Sequence, residues 1–326
     1  MADKLNITTA ICTWNRSKSL SATLISLQQL KIPPGIDWEV LIVNNNCTDD
    51  TDEVIEQFAD SLPIRLLHES RQGLSNARNC AVTAAKGDYI LWTDDDAIVD
   101  SNWLVAYVNA VRAWPNAALF GGPIKLKLEG TPPSWLVEML CDEIFASVYA
   151  RRDLSEIPIK LNSTKWTSIP YGPNLCIRMR EQQNFRYNPH LGRCKDQQIR
   201  GEETDLVTAM LESGAEGWWV PEAIVRHVIT EDLQTQAHVR RYFIGLGQSY
   251  TRENPKAKFA SCLQVPRLLL SAVKWEFRFQ ASRLRNRPKI WLQDLRTASL
   301  CWGRLIESLR ELSNADRGVE GWERRL

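Results

Sequence analysis

The chain has 326 residues, of which 44% are apolar, and a formal net charge of +1. This length and composition suffice for a full hydrophobic core, so one large domain with an appendage is expected. The cysteines are scattered without a CxxC pair, which argues against a zinc ribbon or disulfide framework and favours a reducing cytoplasm. No long apolar N-terminal segment and no run of roughly 18 uncharged apolar residues occurs, so neither a signal peptide nor a simple membrane span is expected.

Short apolar runs alternate with amphipathic segments in the first half of the chain. The apolar runs, typical of strands, are residues 7–12, 38–43, 64–67 and the run that rises from Gly87. The segments with helical periodicity are residues 17–29, 51–58, 75–85 and about 101–113. This alternation predicts an α/β fold with a mostly parallel, twisted sheet flanked by helices, whose ligands lie at the carboxyl ends of the strands.

The second half predicts more strands and then a helical region. Residues 119–122 favour a strand, and residues 171–178, 202–211 and 217–228 favour a strand, a helix and a strand. Between them, the Pro- and Trp-bearing stretch 131–170 has no clear periodicity, and its length suggests a mobile substrate-covering segment. Beyond about residue 236 the pattern is helical, with a break at Pro288. We therefore expect an α/β domain over 1–235 and a helical region over 236–326.

Three consecutive carboxylates, Asp94, Asp95 and Asp96, follow the strand that begins after Gly87. They repel one another, and a buried strand end would carry them only with a compensating cation. In an extended chain Asp94 and Asp96 point the same way. They would then offer two hard oxygen ligands to Mg²⁺ or Mn²⁺, with room for phosphate oxygens and waters. A solvated acidic turn or a helix N-cap is the alternative.

Seven motifs follow one another along the chain, at residues 13–16, 43–51, 72–79, 87–96, 172–192, 201–206 and 221–227. In this order they resemble the motifs of family 2 glycosyltransferases with the GT-A fold, and the resemblance covers roughly residues 5–230. It implies a metal-dependent enzyme that transfers a sugar, with inversion, from a nucleotide-sugar donor to a hydroxyl of a glycan or lipid-linked acceptor. It also implies surface-polysaccharide or glycolipid synthesis as the setting.

The resemblance places donor binding on polar side chains at the strand ends. These are Thr13, Asn15, Arg16, Asn44, Asn46, Asp49, Arg78, Asp94 and Asp95. Asp96 would bind the metal, Mg²⁺ or Mn²⁺, and Asp94 the ribose or the metal. Arg78 would add a positive contact or form a structural salt bridge within the sheet. Asn44 stands where uracil-binding members often carry Asp, and since its carbonyl can also accept a hydrogen bond, UDP is favoured over GDP or dTDP.

The acid pair Glu202 and Glu203 opens a predicted helix, where the helix dipole favours carboxylates, so simple charge capping is an alternative role. In the family the second acid takes the acceptor proton, a role that falls on Glu203. Because the family usually has Asp at this position, Glu202 and Asp205 remain alternatives. His227 lies in a strand-like run and is either a packing residue or the family's closing His, which contacts the metal or the diphosphate.

The segment Gly172-Pro173-Asn174 resembles the family's acceptor-binding segment.

Two other functions stay open. A metal-dependent nucleotidyltransferase also uses Asp pairs, but its usual Gly-rich, Lys-containing loop is missing from residues 13–16. A non-catalytic scaffold that binds a sugar nucleotide or a membrane is the other, and the intact acidic motifs argue against it.

Basic residues are concentrated between Lys256 and Lys289, where nine cations stand against one acid, Glu276. On a helical wheel four of them fall within roughly 40°: Arg267, Lys274, Arg278 and Arg285. Apolar residues fill the remaining arc (268–270, 273, 275, 277 and 279). Such a helix is typical of contact with an anionic membrane surface. Packing on the catalytic domain, a homodimer, and nucleic acid, for which no reader motif is visible, are the alternatives. We expect a cytoplasmic protein, peripheral on the inner face of the membrane.

Overall fold

The computed structural model describes residues 4–163, 168–194, 199–253, 261–285 and 287–323. They form two compact units. The first comprises the described residues of 1–130, 149–195 and 201–230, and the second those of 131–148, 196–200 and 231–326. The sequence predicted a single boundary at 235/236, whereas the second unit also takes in 131–148.

Strands of the first unit form two sheets. They are β1 (Leu5–Thr13), β2 (Ile36–Asn44), β3 (Ile64–His68), β4 (Tyr89–Trp92), β5 (Ala97–Val99), β6 (Leu119–Gly121), β7 (Ile124–Leu128), β8 (Leu175–Arg178), β9 (Gly217–Trp219) and β10 (Val225–Ile229). The seven-stranded sheet has the order β3-β2-β1-β4-β8-β6-β9, and the three-stranded sheet the order β5-β10-β7. In the larger sheet β3, β2, β1 and β4 are parallel, and only β8 runs against its neighbours. This confirms the predicted α/β fold.

Helices cover both faces of the larger sheet. They are α1 (Ser17–Gln28), α2 (Thr51–Glu56), α3 (Leu74–Ala84), α4 (Trp103–Ala113), α7 (Met179–Gln182) and α8 (Glu202–Glu212). Successive residues of β2 face opposite sides. Val40 and Ile42 join the core that includes α1 and α4, while Leu41 and Val43 join the core that includes α3 and α8. A strand buried on both faces is the reason that its apolar run is continuous rather than alternating.

The second unit is helical. It contains α5 (Ser134–Met139), α6 (Glu143–Ala146), α9 (Gln236–Glu253), α10 (Ser261–Leu284) and α11 (Pro288–Glu323). The ring of Trp135 lies 5.7 Å from that of Trp291, and Phe145 lies 5.6 Å from Phe243. The start of the stretch 131–170 is therefore packed within this unit, and its role as a mobile covering segment stays a prediction. None of the described helices has the length and apolar composition that crossing a bilayer requires.

Candidate active site

The three consecutive carboxylates lie where β4 leaves the sheet. β4 ends at Trp92, and Asp95 and Asp96 form a turn that leads into β5. Asp94 and Asp96 therefore do not continue an extended strand, contrary to the prediction from the sequence, because the strand has ended before these positions. Parallel pairing of β1 with β4 brings the two strand ends together, and Thr13 Oγ1 donates a 2.8 Å hydrogen bond to Asp95 Oδ2.

Arg16 is the cation that compensates these carboxylates. Its Nη1 lies 3.3 Å from Asp95 Oδ1 and makes a shorter contact with Asp96 Oδ2. Burial, opposed by Arg16, raises the pKa of Asp95 to about 6. Although burial works against the charged form of Asp96, His227 and Arg16 hold the pKa of Asp96 well below its usual range. The sequence placed Arg16 among the donor contacts but did not foresee its pairing with the turn.

His227, on β10, meets Asp96 from the smaller sheet. A backbone carbonyl can only accept, so Nδ1 of His227 donates the 2.7 Å hydrogen bond to Tyr149 O. This leaves Nε2 directed at Asp96 Oδ1, 3.0 Å away. Despite burial, the Asp96 carboxylate raises the pKa of His227. Two of the three residues predicted as metal ligands, Asp96 and His227, are thus brought together although they are far apart in the sequence.

Arg78, on α3, connects this turn to the acid pair of α8. It is 3% exposed, and its Nη1 lies 3.1 Å from Glu202 Oε1 and 3.4 Å from Glu203 Oε2. Its Nη2 lies 3.8 Å from Asp94 Oδ1. The ring of Tyr187 stacks beside the guanidinium, with 5.2 Å between Cζ and the ring centroid. Arg78 therefore makes the structural salt bridge and, through Asp94, also borders the predicted donor site.

The acid pair holds its two carboxyls in different protonation states. Burial and the neighbouring Glu203 charge raise the pKa of Glu202 to about 8. Against burial, Arg78 and a hydrogen bond from Glu202 lower the pKa of Glu203. At neutral pH Glu202 therefore carries a proton and Glu203 is ionised, which favours Glu203 over Glu202 as a base. Asp205 is exposed, and the ion pairs of Arg78 are made with other acids.

Gly172 lies directly against this cluster. A Cβ at position 172 would come within 2.5 Å of Arg78 Nη2 and 3.4 Å of Glu203 Oε1. Gly172 and Pro173 belong to a single 3₁₀ turn that leads into β8. The predicted acceptor segment therefore begins beside the predicted base, and acceptor binding by Gly172 and Pro173 stays a prediction.

Asn174 is the last residue of the same 3₁₀ turn and is 0% exposed. Its amide oxygen accepts from Trp103 Nε1 at 2.8 Å and from Tyr107 Oη at 2.7 Å. Its amide nitrogen donates to the carbonyls of Pro123 and Ala223. All four hydrogen-bonding positions of the amide are thus used internally, and its side chain joins α4 to the backbone just before β7 and to the loop before β10.

A family model described as "Glycosyl transferase family 2" matches residues 8–169, the segment that carries the turn, Arg16 and Arg78. Residues 8–169 belong to glycosyl transferase family 2. The chain is therefore a glycosyltransferase, as the sequence motifs predicted.

This glycosyltransferase is similar to two relatives and to one solved structure. It is 26% identical to the succinoglycan biosynthesis protein ExoM of Rhizobium meliloti over 77% of this chain and 75% of ExoM. It is 22% identical to the glucosyl-dolichyl phosphate glucuronosyltransferase of Haloferax volcanii, over 70% of each chain. The mannosyltransferase PcManGT from Pyrobaculum calidifontis, solved with GDP-Man and Mn²⁺, aligns with a TM-score of 0.52 at 16% identity, covering 97% of this chain and 76% of PcManGT. That likeness confirms the GT-A fold.

The residues of the turn suit a divalent cation that is shared with a phosphate ligand. Oδ1 of Asp96 is buried and accepts no hydrogen bond of normal geometry from the described residues, although Nε2 of His227 is adjacent. A carboxylate oxygen and an imidazole nitrogen are suitable ligands for Mn²⁺, and a carboxylate for Mg²⁺. Across the described ranges no three His, Cys, Asp or Glu side chains converge as a metal site.

At the end of β2, Asn44 departs from the family pattern and is held internally. Its Nδ2 donates to Asp52 Oδ1 at 2.7 Å, and its Oδ1 accepts from Cys47 N at 2.7 Å. The other oxygen of Asp52 lies 2.9 Å from Nε2 of His68, so a carboxylate and an imidazole stand at the exposed edge beside Asn44. The sequence analysis did not identify Asp52 or His68 as site residues. His68 could have been found from the parallel pairing of β2 with β3, which places it beside Asn44.

Other predicted donor residues fix the loops after β1 and β2. Asn15 and Asn46 adopt positive φ values of 52° and 64°, a conformation that Asn tolerates better than most residues. Oδ1 of Asn15 accepts from Thr48 N at 2.7 Å, which ties the two loops together. Asp49 accepts from Ser17 N at 3.1 Å at the start of α1. The structure gathers these residues at one end of the sheet, and their contact with a nucleotide stays a prediction.

Proposed function

We propose that this glycosyltransferase moves a hexosyl or hexosaminyl group from a nucleoside diphosphate sugar, with UDP-sugars favoured, to a hydroxyl of a glycan or lipid-linked acceptor. The observation that carries the proposal is the buried Arg78, whose guanidinium reaches the acid pair of α8 on one side and Asp94 on the other. These contacts support the proposal because they connect the proposed base to the turn proposed to bind the donor. The names of the two relatives support surface-polysaccharide or glycolipid synthesis as the setting.

In the proposed reaction, Glu203 takes the proton of the acceptor hydroxyl while that oxygen attacks the anomeric carbon of the donor sugar. The bond from this carbon to the diphosphate oxygen breaks, and its electron pair leaves with the nucleoside diphosphate. One displacement inverts the configuration, so no nucleophile from the enzyme is needed. With its raised pKa, Glu202 would keep its own proton, and Arg78, which contacts both acids, would orient them.

We propose Mg²⁺ or Mn²⁺ as the cofactor, held by Asp96 and His227, with Asp94 on the ribose or the metal. Such a cation supplies charge stabilisation to the departing diphosphate. Arg16 balances the charge of Asp95 and Asp96. Thr13 orients Asp95 through its hydroxyl.

We further propose that α10 holds the protein on an anionic membrane. Its large apolar residues divide into two sets. Phe279 is buried, whereas Leu270 and Phe277 are 72% and 74% exposed, and Leu269, Val273 and Leu284 are exposed as well. These five exposed residues fall within an arc of about 100° on the helix, on the side away from Phe279.

Exposed cations border this apolar stripe on one side: Arg267, Lys274 and Arg285. A stripe of this kind beside a row of cations is the arrangement that anionic headgroups and acyl chains favour. Arg278, which the sequence grouped with them, instead lies 3.4 Å from the buried Asp294 and over the ring of Trp275. Lys256 and Lys258 lie outside the described residues.

A donor screen tests the catalytic proposal. UDP-, GDP- and dTDP-sugars would be supplied with Mn²⁺ or Mg²⁺ and a panel of glycan and lipid-linked acceptors, and release of nucleoside diphosphate measured. Release from one sugar nucleotide that is stopped by Glu203→Gln supports the proposal. No release from any donor by a folded wild-type protein contradicts it.

A further inference from the structure

Residues 191–193 form a turn that is fixed against the first turn of α3. Ser75 Oγ donates to Leu191 O at 2.7 Å, and Leu74 N donates to Arg193 O at 2.9 Å. The second bond satisfies one of the backbone N–H groups that a helix leaves unpaired at its start. Both ends of the turn are thus held by the helix that carries Arg78.

Gly192 lets this turn approach the acid pair. Its φ is +91°, and a Cβ there would lie 2.9 Å from Ser75 Oγ and 3.4 Å from Cδ of Glu202. A residue with a side chain would meet both the backbone strain and these neighbours. The chain therefore passes directly beside Glu202 and then presents Arg193.

Arg193, the residue after Gly192, supplies an exposed cation on the turn that lies beside Glu202. The ion pairs found among the described residues do not include it. Beyond burial and Arg78, its charge helps to lower the pKa of Glu203. The turn therefore brings a cation that makes none of these ion pairs close to the proposed base.

The other two arginines of the site already form ion pairs with carboxylates of the protein. Arg16 is paired with Asp95 and Asp96, and Arg78 is buried among Glu202, Glu203 and Asp94. A diphosphate brings further negative charge to a site rich in carboxylates, and a guanidinium can bind phosphate oxygens in a bidentate manner. We propose that Arg193 binds the diphosphate of the nucleotide-sugar donor and stabilises the charge that builds on it as it leaves. This inference rests on the proposed function.

Binding of UDP and of GDP, each with Mn²⁺, to wild type, Arg193→Ala and Arg193→Lys tests the inference by calorimetry. Arg112→Ala, which removes an exposed arginine at the end of α4, is the matched control. We expect Arg193→Ala to weaken the better nucleoside diphosphate by about tenfold or more. Affinity for the corresponding nucleoside should be unchanged, and Arg193→Lys should recover part of the loss. In turnover, kcat should fall along with the rise in KM for the donor, because the charge is greatest in the transition state.

Three outcomes would overturn the inference. The first is a nucleoside diphosphate affinity within twofold of wild type in Arg193→Ala. The second is an equal loss for the nucleoside, which indicates a structural role. The third is unchanged diphosphate binding with a raised KM for a phosphate-bearing lipid acceptor, which assigns Arg193 to the acceptor. Wild-type protein that binds neither UDP nor GDP and releases neither from any sugar nucleotide overturns the proposed function as well, so the two failures are distinguishable.

Discussion

Nη1 of Arg78 lies 3.1 Å from Oε1 of Glu202, and both side chains are buried. Buried ions lose hydration, and such a pair is tolerated where further hydrogen bonds and charges satisfy it. Here Glu203 provides the second partner of the guanidinium, so one arginine supports two acids with different affinities for a proton. The ionisation of the proposed base therefore depends on a residue of another helix.

We expect Glu203→Gln to lower kcat by about 10²-fold or more while donor affinity changes little, because a general base acts on the acceptor. Steady-state kinetics together with donor binding by calorimetry would measure both. Asp205→Asn, an exposed acid on the same helix, is the control and should keep near-normal kcat. Near-normal kcat in Glu203→Gln with loss in Glu202→Gln would move the base by one residue, and no loss in either would refute the role of the acid pair.

We expect the free energy of unfolding to depend on pH because of Glu202. Its pKa is raised to about 8 in the folded protein, against roughly 4.3 in an unfolded chain. The folded state thus binds the extra proton, so its stabilising contribution is complete at low pH and is lost as pH rises through about 8. Relative to Glu202→Gln, the wild-type free energy of unfolding should fall between about pH 5 and pH 8, by at most about 1.4 kcal/mol per pH unit.

Denaturant titrations of wild type and Glu202→Gln across this pH range would check the prediction. The glutamine is close in size to the protonated acid and does not titrate, so its curve should lack the decline. Parallel curves for the two proteins would show that Glu202 is already ionised in the folded state.

Gly172→Ala should impair catalysis more than folding. The new Cβ would come within 2.5 Å of Arg78 Nη2, the end of a side chain that can shift. Gly122→Ala is the contrasting variant, since its Cβ would lie 2.3 Å from the backbone oxygen of Ala223. We expect Gly172→Ala to lower kcat by about 10²-fold through misplaced acids with little loss of thermal stability. Gly122→Ala should cost about 1–3 kcal/mol of unfolding free energy, and the reverse ranking would contradict this reading of the contacts.

Asp96→Asn should remove metal-dependent nucleotide binding. The substitution keeps the volume of the side chain but removes the charge that faces His227 and Arg16. Calorimetry with UDP or GDP, whichever wild type prefers, should show Mn²⁺ strengthening the binding to wild type and not to the variant. Asp60→Asn, at an exposed position outside the site, should behave as wild type. Undiminished metal-dependent affinity in Asp96→Asn would exclude Asp96 as a ligand.

The sequence predicted the sheet and most of the site's members because both follow from local signals. Apolar runs marked the strands, and polar residues after them marked the strand ends. The partners of those residues depend on packing between distant elements. Arg78 lies more than a hundred residues before Glu202, and no local pattern indicates that one guanidinium joins them.

Two errors have the same origin. Asp94 and Asp96 were expected in an extended strand, whereas β4 stops at Trp92 and a turn follows. The helical wheel counted Phe279 and Phe277 on one apolar arc, whereas α10 buries Phe279 and exposes Phe277. Periodicity shows that a face is apolar; which part of that face meets neighbouring helices is decided by the fold.

The exposed stripe of α10 gives the last prediction. Changing Arg267, Lys274 and Arg285 together to Gln should move the protein from the pellet to the supernatant when it is sedimented with vesicles that contain phosphatidylserine. Each cation near such a surface contributes on the order of 1 kcal/mol, reduced by salt. Arg278 is left in place because its removal would leave the buried Asp294 without its partner.

A charge-matched control separates this effect from a general loss of positive charge. Lys86, Lys125 and Lys127 are exposed in the first unit, and their joint change to Gln should leave sedimentation with the vesicles unaltered. Phe277→Ser should weaken the binding that remains at high salt, because that part comes from the apolar stripe. Turnover of a short soluble acceptor should be unaffected by any of these changes. If wild-type protein does not sediment with the vesicles even at low salt, membrane contact through α10 is excluded. A second subunit would then be favoured as the partner of the exposed stripe.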